Sequence, residues 1–446
     1  MNYVSNTEEQ LREMLHTIGV DKFEDLIESI PESIRVLDKF QLFPALSEFE
    51  VVNLLQEYSK KNLNSNEYVT FMGLGSYDHY VPALVNFVID RPEFKTAYTP
   101  YQAEVSQGTL QAMYEFQSMI CDLTGMEVAN ASMLDGASAL AEALLMSNAH
   151  NRKTHFVFAG TPNPNYLTVC KTITAGKNFN FDLAIADDGT CDLERLSQIV
   201  SEKTSAVVVH QPNAYGNLEE VDEIERIAHS KGALLISVVD PISLGIIKCP
   251  GEYNADIVVG EGQPLGIPLS FGGPYLGIFA TRQDFIRKIP GRLSGMTIDA
   301  DGKRAFVLTL QTREQQIKRE RATSNICTNQ GLMMLAATVY LSIMGKNGIR
   351  ELAEICFRKA HYLAEQIKKI PGFKIFNNKP FFREFLVIPP VPVHKILEEG
   401  KKEKILAGID TSKFPELKPG LLVSVTEKRT ESELEKFVEF LKLFGT

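Results

Sequence analysis

The chain has 446 residues, of which 44% are hydrophobic and 23% charged, the composition of an ordinary globular protein with room for two or three domains. Its formal charge of −10 argues against the basic surface that a general nucleic-acid binder needs. No unbroken apolar run reaches the roughly 18 residues of a membrane span, and residues 1–10 are too polar and acidic for a signal or transit peptide. The six cysteines are scattered singly, which argues against a disulfide scaffold or a zinc knuckle. We therefore expect a cytoplasmic protein that binds neither nucleic acid nor membranes.

The N-terminal part, residues 1–65, is predicted to be a helical arm. Thr7 and Gln10 have the spacing of a capping box, apolar residues follow at helical spacing, and Gly19 is a stop signal. A second helix is expected over 23–30, before Pro31. Because these helices are amphipathic, we expect the arm to pack on its own chain or on a sister subunit.

Residues 66–328 are predicted to form a large α/β domain. Helices are expected over 110–123, 138–147 and 219–230. Apolar runs without alternation predict strands buried on both faces of a mainly parallel sheet, at 156–158, 206–209, 234–239 and 257–259. A further strand is expected over 275–280, with antiparallel pairing as one option.

Residues 329–446 are predicted to form a smaller α+β domain. Two helices, over 332–344 and from 349 to about 369, are separated by Gly345. Strands are expected over 385–388 and 421–425, and the last helix starts with a capping box at Thr430.

Polar loops at the ends of the predicted strands are the candidate sites, because open α/β sheets bind ligands there. The sequence has no HExxH, GxSxG or GxxxxGK[ST] motif, which argues against metal, serine-hydrolase and P-loop chemistry. The turn from Asp135 to Ser138 opens a helix whose N-terminus would favour an anion, although tight packing of small residues also explains it. His210 suits stacking on a planar ligand or burial with a hydrogen bond. Asp240 ends a buried strand and needs a partner, either a pyridinium nitrogen or a backbone cap.

The loop after the strand at 257–259 lacks the group that its setting calls for. The order of strand, Asp, strand, polar loop and glycine-rich strand resembles fold-type I pyridoxal-phosphate (PLP) enzymes. Those enzymes carry a lysine in this loop, since an amine must form the Schiff base with the cofactor. No lysine occurs between Lys248 and Lys288. The loop therefore has the scaffold of a PLP site without its reactive group.

Several long motifs, in register along the chain, resemble the P-protein of the glycine cleavage system, the decarboxylating glycine dehydrogenase family. Two of them are the most specific: 98–104 places two phenols, an amide and a carboxylate around a proline, and 310–330 is charged and then rich in hydroxyls. A solvated charged face would explain Arg313 to Arg321, but not the exact string. The matching strings are YTPYQAEVSQG (98–108), DLTGMEVANASMLDGASALAEA (122–143), PGEYNADIVVGEGQPLGIPLSFGGP (250–274), PGRLSG (290–295), LQTREQ (310–315) and RATSNICTNQ (321–330).

The resemblance implies that the chain is one half of a divided enzyme. P-proteins occur as one long chain or as two subunits, and this sequence is similar to the N-terminal-type half, subunit 1 or alpha. The cofactor lysine belongs to the other half, and aligning its Ile-Pro with Ile267-Pro268 places Gln263 where the lysine would stand.

The same resemblance implies an activity and partners. The family enzyme releases the carboxylate of glycine as CO2 with the help of PLP, and passes the aminomethyl group to the lipoyl arm of H-protein. This chain would act in a heterotetramer with subunit 2 (beta), which would hold PLP covalently.

Residue roles follow from the motifs. Thr99, Tyr101 and Gln102 are expected to reach toward the partner's cofactor or glycine. A second group would line the approach of the lipoyl arm, namely Arg319, Arg321, Thr323, Ser324 and Asn325. The alternative is that both loops only buttress the subunit interface. The chain would bind no metal and no cofactor, and a vestigial cofactor pocket would remain, made of Asp135, Ser138, His210, Asp240 and Gln263.

Two rival interpretations stay open. The chain is either a self-sufficient PLP enzyme that uses Lys248 or Lys288, or a binding or scaffold protein without a part in catalysis.

Overall fold

The computed structural model describes residues 6–35 and 44–445, so the predicted arm at 1–65 lies partly outside the described residues, at 1–5 and 36–43. The chain forms two compact units, divided between Leu63 and Asn64. The helices are, in chain order, α1 (Glu8–Ile18), α2 (Phe23–Leu26), α3 (Glu48–Ser59), α4 (Ala83–Ile89), α5 (Pro92–Lys95), α6 (Gln107–Thr124), α7 (Gly136–Asn151), α8 (Pro164–Ile173), α9 (Leu193–Ile199), α10 (Val221–Ser230), α11 (Gln315–Lys318), α12 (Gly331–Ile367), α13 (Val393–Lys402) and α14 (Glu431–Lys442).

Within the described residues, the strands all belong to the second unit. They are β1 (Val69–Thr70), β2 (Val128–Ala129), β3 (His155–Ala159), β4 (Asn180–Ala184), β5 (Thr204–Gln211), β6 (Leu234–Val239), β7 (Ile257–Glu261), β8 (Gly277–Thr281), β9 (Leu293–Ile298), β10 (Arg304–Thr309), β11 (Lys374–Ile375), β12 (Glu384–Ile388), β13 (Ile405–Leu406), β14 (Ile409–Asp410) and β15 (Leu421–Ser424).

The N-terminal unit contains α1 to α3. Thr7 and Gln10 form the predicted capping box at the start of α1, and Gly19 ends this helix in the left-handed conformation, at φ 88°. The expected helix over 23–30 is shorter, because α2 stops at Leu26 and the chain turns over 27–30. Ser47 caps α3 through a second capping box, with Glu50.

A seven-stranded sheet forms the centre of the second unit, in the order β2-β8-β7-β6-β5-β3-β4. The five strands from β7 to β4 are parallel to their neighbours, whereas β8 pairs antiparallel with β7 and β2 antiparallel with β8. Alternate residues of β5 belong to different apolar cores, Val207 and Val209 to one and Ala206 and Val208 to the other. The sheet is therefore buried on both faces, as its unalternated apolar runs predict.

A smaller antiparallel sheet, in the order β11-β12-β15-β14, carries the C-terminal core. This core includes Phe385 of β12, Val423 of β15 and Phe437 of α14. Helix α12 contributes to both regions, since Ala353 packs in the larger core and Leu363 in the smaller one. The domain boundary proposed at residue 328 lies just before this shared helix and stays a prediction.

Helix α12 also changes one expectation from the sequence. Among the residues described, this one helix is long and apolar enough to cross a membrane by length and composition alone. It is interrupted at Gly345, whose φ of 58° and ψ of −176° are not helical, as the predicted break required. In its most apolar window 44% of the residues are buried inside the protein. A core helix meets the same length and composition criteria, and the packing of α12 is that of a core helix.

Candidate functional site

Three parallel strands end side by side at the centre of the large sheet. β5 ends at Gln211, β6 is followed by Asp240, and β7 ends at Glu261. Because carboxyl ends of parallel strands meet at one edge, this is where an open α/β sheet places its ligands. A cavity of about 60 Å³ lies here, which we call the edge pocket. Its polar lining includes Tyr77, Asn163, Tyr166, His210, Asn213, Asp240, Glu261 and Glu384.

The N-terminus of α7 meets this edge, but a carboxylate of the chain already occupies it. The N–H of Gly136, the first residue of the helix, donates to Glu261 Oε2 at 2.9 Å. A side chain on Gly136 has no room, since a Cβ there would come within 2.3 Å of the Tyr166 hydroxyl. Asp135 and Ser138 form the capping box of α7 and do not line the pocket, with Ser138 N–H donating to Asp135 Oδ1 at 2.8 Å. Both interpretations of this turn thus apply, because it is tightly packed and its dipole faces an anion, Glu261.

Asp240 is paired with Arg383, the residue that directly precedes β12. Arg383 Nη2 lies 2.5 Å from Asp240 Oδ2, an ion pair by distance, and its side chain is 1% exposed. The guanidinium carbon lies 3.5 Å from the centroid of the Tyr77 ring. Asp240 Oδ1 also accepts the N–H of Ile242 at 3.0 Å, the backbone cap considered as one of its partners. A buried cation of this chain therefore neutralises the carboxylate that could face a pyridinium nitrogen.

A histidine and a second acid extend the Arg383 cluster. Arg383 Nη1 contacts His79 Nε2, and His79 Nδ1 lies 2.6 Å from Glu427 Oε2. A guanidinium can only donate, so Nε2 accepts and Nδ1–H donates to Glu427. The pKa of Glu427 is lowered to about 2, because its contacts to His79 and to the Tyr80 N–H outweigh the effect of its burial.

Gln263 is held by backbone groups beneath the pocket. Its Oε1 accepts the N–H of Tyr77 at 2.9 Å, and its Nε2 donates to the carbonyls of Tyr77 at 3.0 Å and Ile267 at 2.7 Å. The side chain is buried, at 1% exposure. The set of bonds requires an amide, since a lysine could donate to the carbonyls but offers no acceptor to the N–H of Tyr77.

Burial perturbs the ionisable groups around the pocket. It raises the pKa of Glu261 to about 7, against three backbone N–H groups that favour the carboxylate. It raises the pKa of Glu384, whose carboxylate accepts from the Tyr77 hydroxyl and the Leu74 N–H. It lowers the pKa of His210 to about 3, so this imidazole is neutral. His210 lies edge-on to Tyr166 and its Nε2 has no hydrogen-bond partner within residues 6–35 and 44–445.

The residues of the edge pocket do not fit PLP. No lysine lines the pocket within the described part of the chain, and Gln263 is committed to backbone bonds. A phosphate at the N-terminus of α7 would meet the carboxylate of Glu261, and a pyridinium at Asp240 would meet Arg383. The N-terminus of α7 is therefore already capped by Glu261, and the charge of Arg383 would oppose a pyridinium.

A second candidate region, the loop face, comprises residues 96–104 and 319–328. Thr99 and Gln102 are exposed, and Tyr101 is half-buried. Burial raises the pKa of the Tyr101 hydroxyl, which keeps it a neutral donor at ordinary pH. Tyr98 and Tyr101 line a mainly apolar cavity of about 340 Å³ at the start of α12.

The other part of the loop face presents charge and hydroxyls. Arg319, Arg321 and Asn325 are exposed, and Arg319 adopts a left-handed φ of 51°. Thr323 and Ser324 are half-buried and line a small cavity with Arg313 and Lys318.

Two arginines that the motif analysis did not assign to the site lie beside these loops, and one of them, Arg292, connects the two parts. Arg292 stacks on Tyr101, with 3.9 Å from the guanidinium carbon to the ring centroid, and pairs with Glu314 at 3.1 Å. Arg313 donates to the carbonyls of Gly291 at 3.0 Å and of Ile289. Arg292 and Arg313 together are called the arginine clasp below.

Sequence reasoning missed Arg383, Tyr77 and the clasp. One signal was present for Arg383, since Arg383 and Glu384 interrupt an apolar run of phenylalanines from 381 to 385. Charges inside such a run indicate a buried ion pair. No local signal pointed to Tyr77, which reaches the pocket from a segment before the large domain's first long helix.

Comparison with known sequences gives a consistent result. The model of the family described as glycine cleavage system P-protein matches residues 1–441. The chain is 52% identical over 442 residues, 99% of both sequences, to a probable glycine dehydrogenase (decarboxylating) subunit 1 of Chlorobium phaeobacteroides. It is 51% identical over 446 residues, 100% of both, to the protein of the same description from Chlorobaculum tepidum.

Comparison with solved structures agrees. A crystal structure of glycine decarboxylase (P-protein) of the glycine cleavage system, in inhibitor-bound form, is 38% identical, covers 100% of both chains and superposes with a TM-score of 0.91. A glutamate decarboxylase of Lactobacillus brevis is 13% identical, with 92% and 95% of the two chains covered and a TM-score of 0.69. The architecture is that of fold-type I PLP-dependent enzymes, as the order of sequence motifs predicts.

Proposed function

We propose a function from the premise that this chain belongs to the glycine cleavage system P-protein family, and within it to the subunit 1 type, one subunit of a heteromeric glycine dehydrogenase (decarboxylating). The chain acts with subunit 2, in an α2β2 heterotetramer of the cytoplasm. Subunit 2 holds PLP covalently. The assembled enzyme decarboxylates glycine and transfers the aminomethyl group to the lipoyl arm of H-protein.

The observation that carries the proposal is that the edge pocket is filled by the chain's own groups. Gln263 stands where the resemblance puts the cofactor lysine, Glu261 accepts the N–H of Gly136 at the start of α7, and Arg383 pairs with Asp240. Lys248 and Lys288 do not support the self-sufficient alternative, since neither lines the pocket. Lys248 instead pairs with Asp222 at 2.5 Å, and Lys288 contacts His150 at 2.8 Å. A cofactor for the family reaction must then come from a companion chain.

The loop face supports a contribution to that companion's site. Thr99, Tyr101 and Gln102 offer hydroxyl and amide groups, which hydrogen-bond a small amino acid or a cofactor and exclude water around it. A second set borders the approach of the lipoyl arm, namely Arg319, Arg321, Thr323, Ser324 and Asn325. Arg313 donates to the carbonyl of Gly291 and Arg292 to the carbonyl of Cys327, and these bonds hold the neighbouring turns.

The test is glycine–bicarbonate exchange with H-protein, measured on the chain alone, on subunit 2 alone and on the mixture. We expect activity in the mixture to exceed that of either component. Activity of the chain alone would support a self-sufficient enzyme, and a mixture no better than subunit 2 would support a non-catalytic scaffold.

A chemical test locates the cofactor. Borohydride reduction of the mixture followed by peptide mapping should place the pyridoxyl group on a lysine of subunit 2. A pyridoxyl-lysine in this chain would contradict the proposal, and the absorbance of the isolated chain in the visible PLP band gives a quick control.

A further inference from the structure

The turn that carries Arg292 is held by hydrogen bonds to its backbone carbonyls, independently of the Arg292 side chain. The carbonyl of Pro290 accepts from Asn130 Nδ2 at 3.0 Å, and the carbonyl of Arg292 accepts the N–H of Ala131 at 2.9 Å. β9 begins at the next residue, Leu293, and pairs with β10. The guanidinium of Arg292 therefore starts from a rigid point of the fold.

From that point Arg292 contacts three separate segments at once. Its face covers the ring of Tyr101 at 3.9 Å, Nη1 lies 3.1 Å from Glu314 Oε2, and Nη2 donates to the carbonyl of Cys327 at 2.8 Å. Tyr101 and Cys327 belong to the two halves of the loop face, so one planar group lies between them. The side chains of Arg292 and Glu314 are only 7% and 9% exposed.

This arrangement is a poor device for stability alone. Burying an ion pair costs desolvation that the Coulomb attraction roughly repays, and apolar residues of similar volume often do as well. Arg292 also leaves its buried Nε without a partner within the described residues. What the planar fork does supply is direction, since it stacks on an aromatic face and donates along its edge at fixed angles.

We propose that Arg292 is a positioning residue, which fixes Tyr101 relative to the segment at 322–328 and so sets the geometry of the loop face. This rests on the proposed function, in which that face completes the partner's site. Arg292 itself contacts neither substrate nor cofactor, and acts through Tyr101 and the backbone of Cys327.

The decisive variant is Arg292→Lys, studied in the complex with subunit 2. Lysine keeps the charge for Glu314, but it has no planar face for Tyr101 and cannot also reach Cys327 with a second fixed donor. We expect the complex to assemble and to unfold near the wild-type temperature, with kcat of the exchange reaction at least about tenfold lower, which corresponds to about 1.4 kcal/mol of transition-state stabilisation. Arg226→Gln, which removes a surface arginine paired with Glu223, is the matched control and should change nothing.

A second readout does not depend on activity. Hydrogen exchange of backbone amides in Arg292→Lys should become faster at both 96–104 and 322–328, and stay unchanged in the buried strand β5. If charge pairing with Glu314 were the whole role, lysine would rescue both kcat and amide protection. Wild-type values of both would overturn the proposal.

If Arg292→Lys does not assemble with subunit 2, two variants of Tyr101 test the proposal. Phenylalanine keeps the ring that Arg292 covers, whereas leucine removes it. We expect Tyr101→Leu to lower kcat at least fivefold beyond Tyr101→Phe and to speed amide exchange at 322–328. Equal values for the two variants would show that stacking positions nothing. An inactive wild-type mixture would refute the proposed function instead. Hydrogen exchange measured on the isolated chain would still test the positioning role of Arg292.

Discussion

The edge pocket and the loop face differ in where their polar groups find partners. In the edge pocket Arg383 lies on Asp240, the N-terminus of α7 faces Glu261, and Gln263 bonds only backbone. On the loop face, by contrast, Thr99 and Arg321 are exposed. One region satisfies its charges within the chain, and the other presents its functional groups outward.

This difference predicts different roles for the edge pocket and the loop face. The pocket has the position of a ligand site in an open α/β sheet, but its charged side chains pair within the chain, so we expect its residues to contribute to stability. The loop face contributes little burial, so its residues are free to serve an assembly. Substitutions in the pocket should therefore change stability, and substitutions on the loop face should change activity of the complex.

The largest expected effect belongs to Arg383→Met. It leaves the carboxylate of Asp240 buried without its cation, and loss of one partner of a buried pair costs about 3–5 kcal/mol. Urea unfolding of the isolated chain measures the change. Arg226→Gln, a surface arginine with a side chain 69% exposed, should stay within about 0.5 kcal/mol of wild type. Equal stability of Arg383→Met and wild type would mean that Arg383 does not compensate Asp240.

The next effect is a pH dependence from Glu261. The pKa of Glu261 is about 7 in the folded protein against 4.5 for a free glutamate, so the folded state holds the proton at pH values where the unfolded chain has lost it. Its contribution is complete below pH 4.5 and is lost as the pH rises through about 7, a fall of about 3 kcal/mol. Glu261→Gln should flatten this part of the curve of unfolding free energy against pH. An unchanged slope between pH 5 and 7 would exclude Glu261 as its source.

Gln263→Lys examines whether the missing amine is the only defect of the pocket. We expect no PLP absorbance, because Glu261 still occupies the N-terminus of α7 and Arg383 still opposes a pyridinium. The lost acceptor for the Tyr77 N–H should cost about 1–3 kcal/mol. Gln263→Leu is the control for stability without an amine. A yellow protein with a reducible pyridoxyl-lysine at position 263 would show that the pocket is still open to the cofactor.

The central fold could be predicted because its signals are local. β6 was predicted at both ends, since Leu234 to Val239 form an unbroken apolar run. The edge strand β4 was missed because it has no unbroken apolar run, its residues being alternately exposed and half-buried up to Ala184. The hairpin β9–β10 was missed although Asp301-Gly302 is a turn signal.

The site could be predicted only in part, for a physical reason. Asp240 and His210 were identified because they lie at the carboxyl ends of strands, and these ends must meet. Arg383, in contrast, lies 143 positions from Asp240 along the chain, and no local pattern encodes which distant cation will neutralise a buried acid. Arg292 was quoted within a motif, but its contact with Tyr101 depends on the packing of three loops.

Tyr101→Phe should affect the complex and not the isolated chain. It removes one hydroxyl and keeps the ring over which Arg292 stacks, so stability should hardly change. The exchange rate of the reconstituted complex should fall about tenfold, the equivalent of about 1.4 kcal/mol. Tyr362→Phe, on the exposed side of α12, is the matched control. If turnover and glycine affinity both stay unchanged, Tyr101 does not lie at the active site.

The smallest effect on stability is expected for Arg321→Gln, and it separates the two regions most sharply. The Arg321 side chain is 87% exposed and its nearest acid, Glu320, is 3.8 Å away, a pair worth at most about 1 kcal/mol. Urea unfolding should therefore match wild type, while the KM for lipoylated H-protein rises up to about tenfold through loss of one charged hydrogen bond. Arg350→Gln, which removes an exposed arginine paired with Glu354, should change neither quantity. An unchanged KM for H-protein would leave Arg321 with only a supporting role at the interface, because a residue that does not contact the incoming arm cannot guide it.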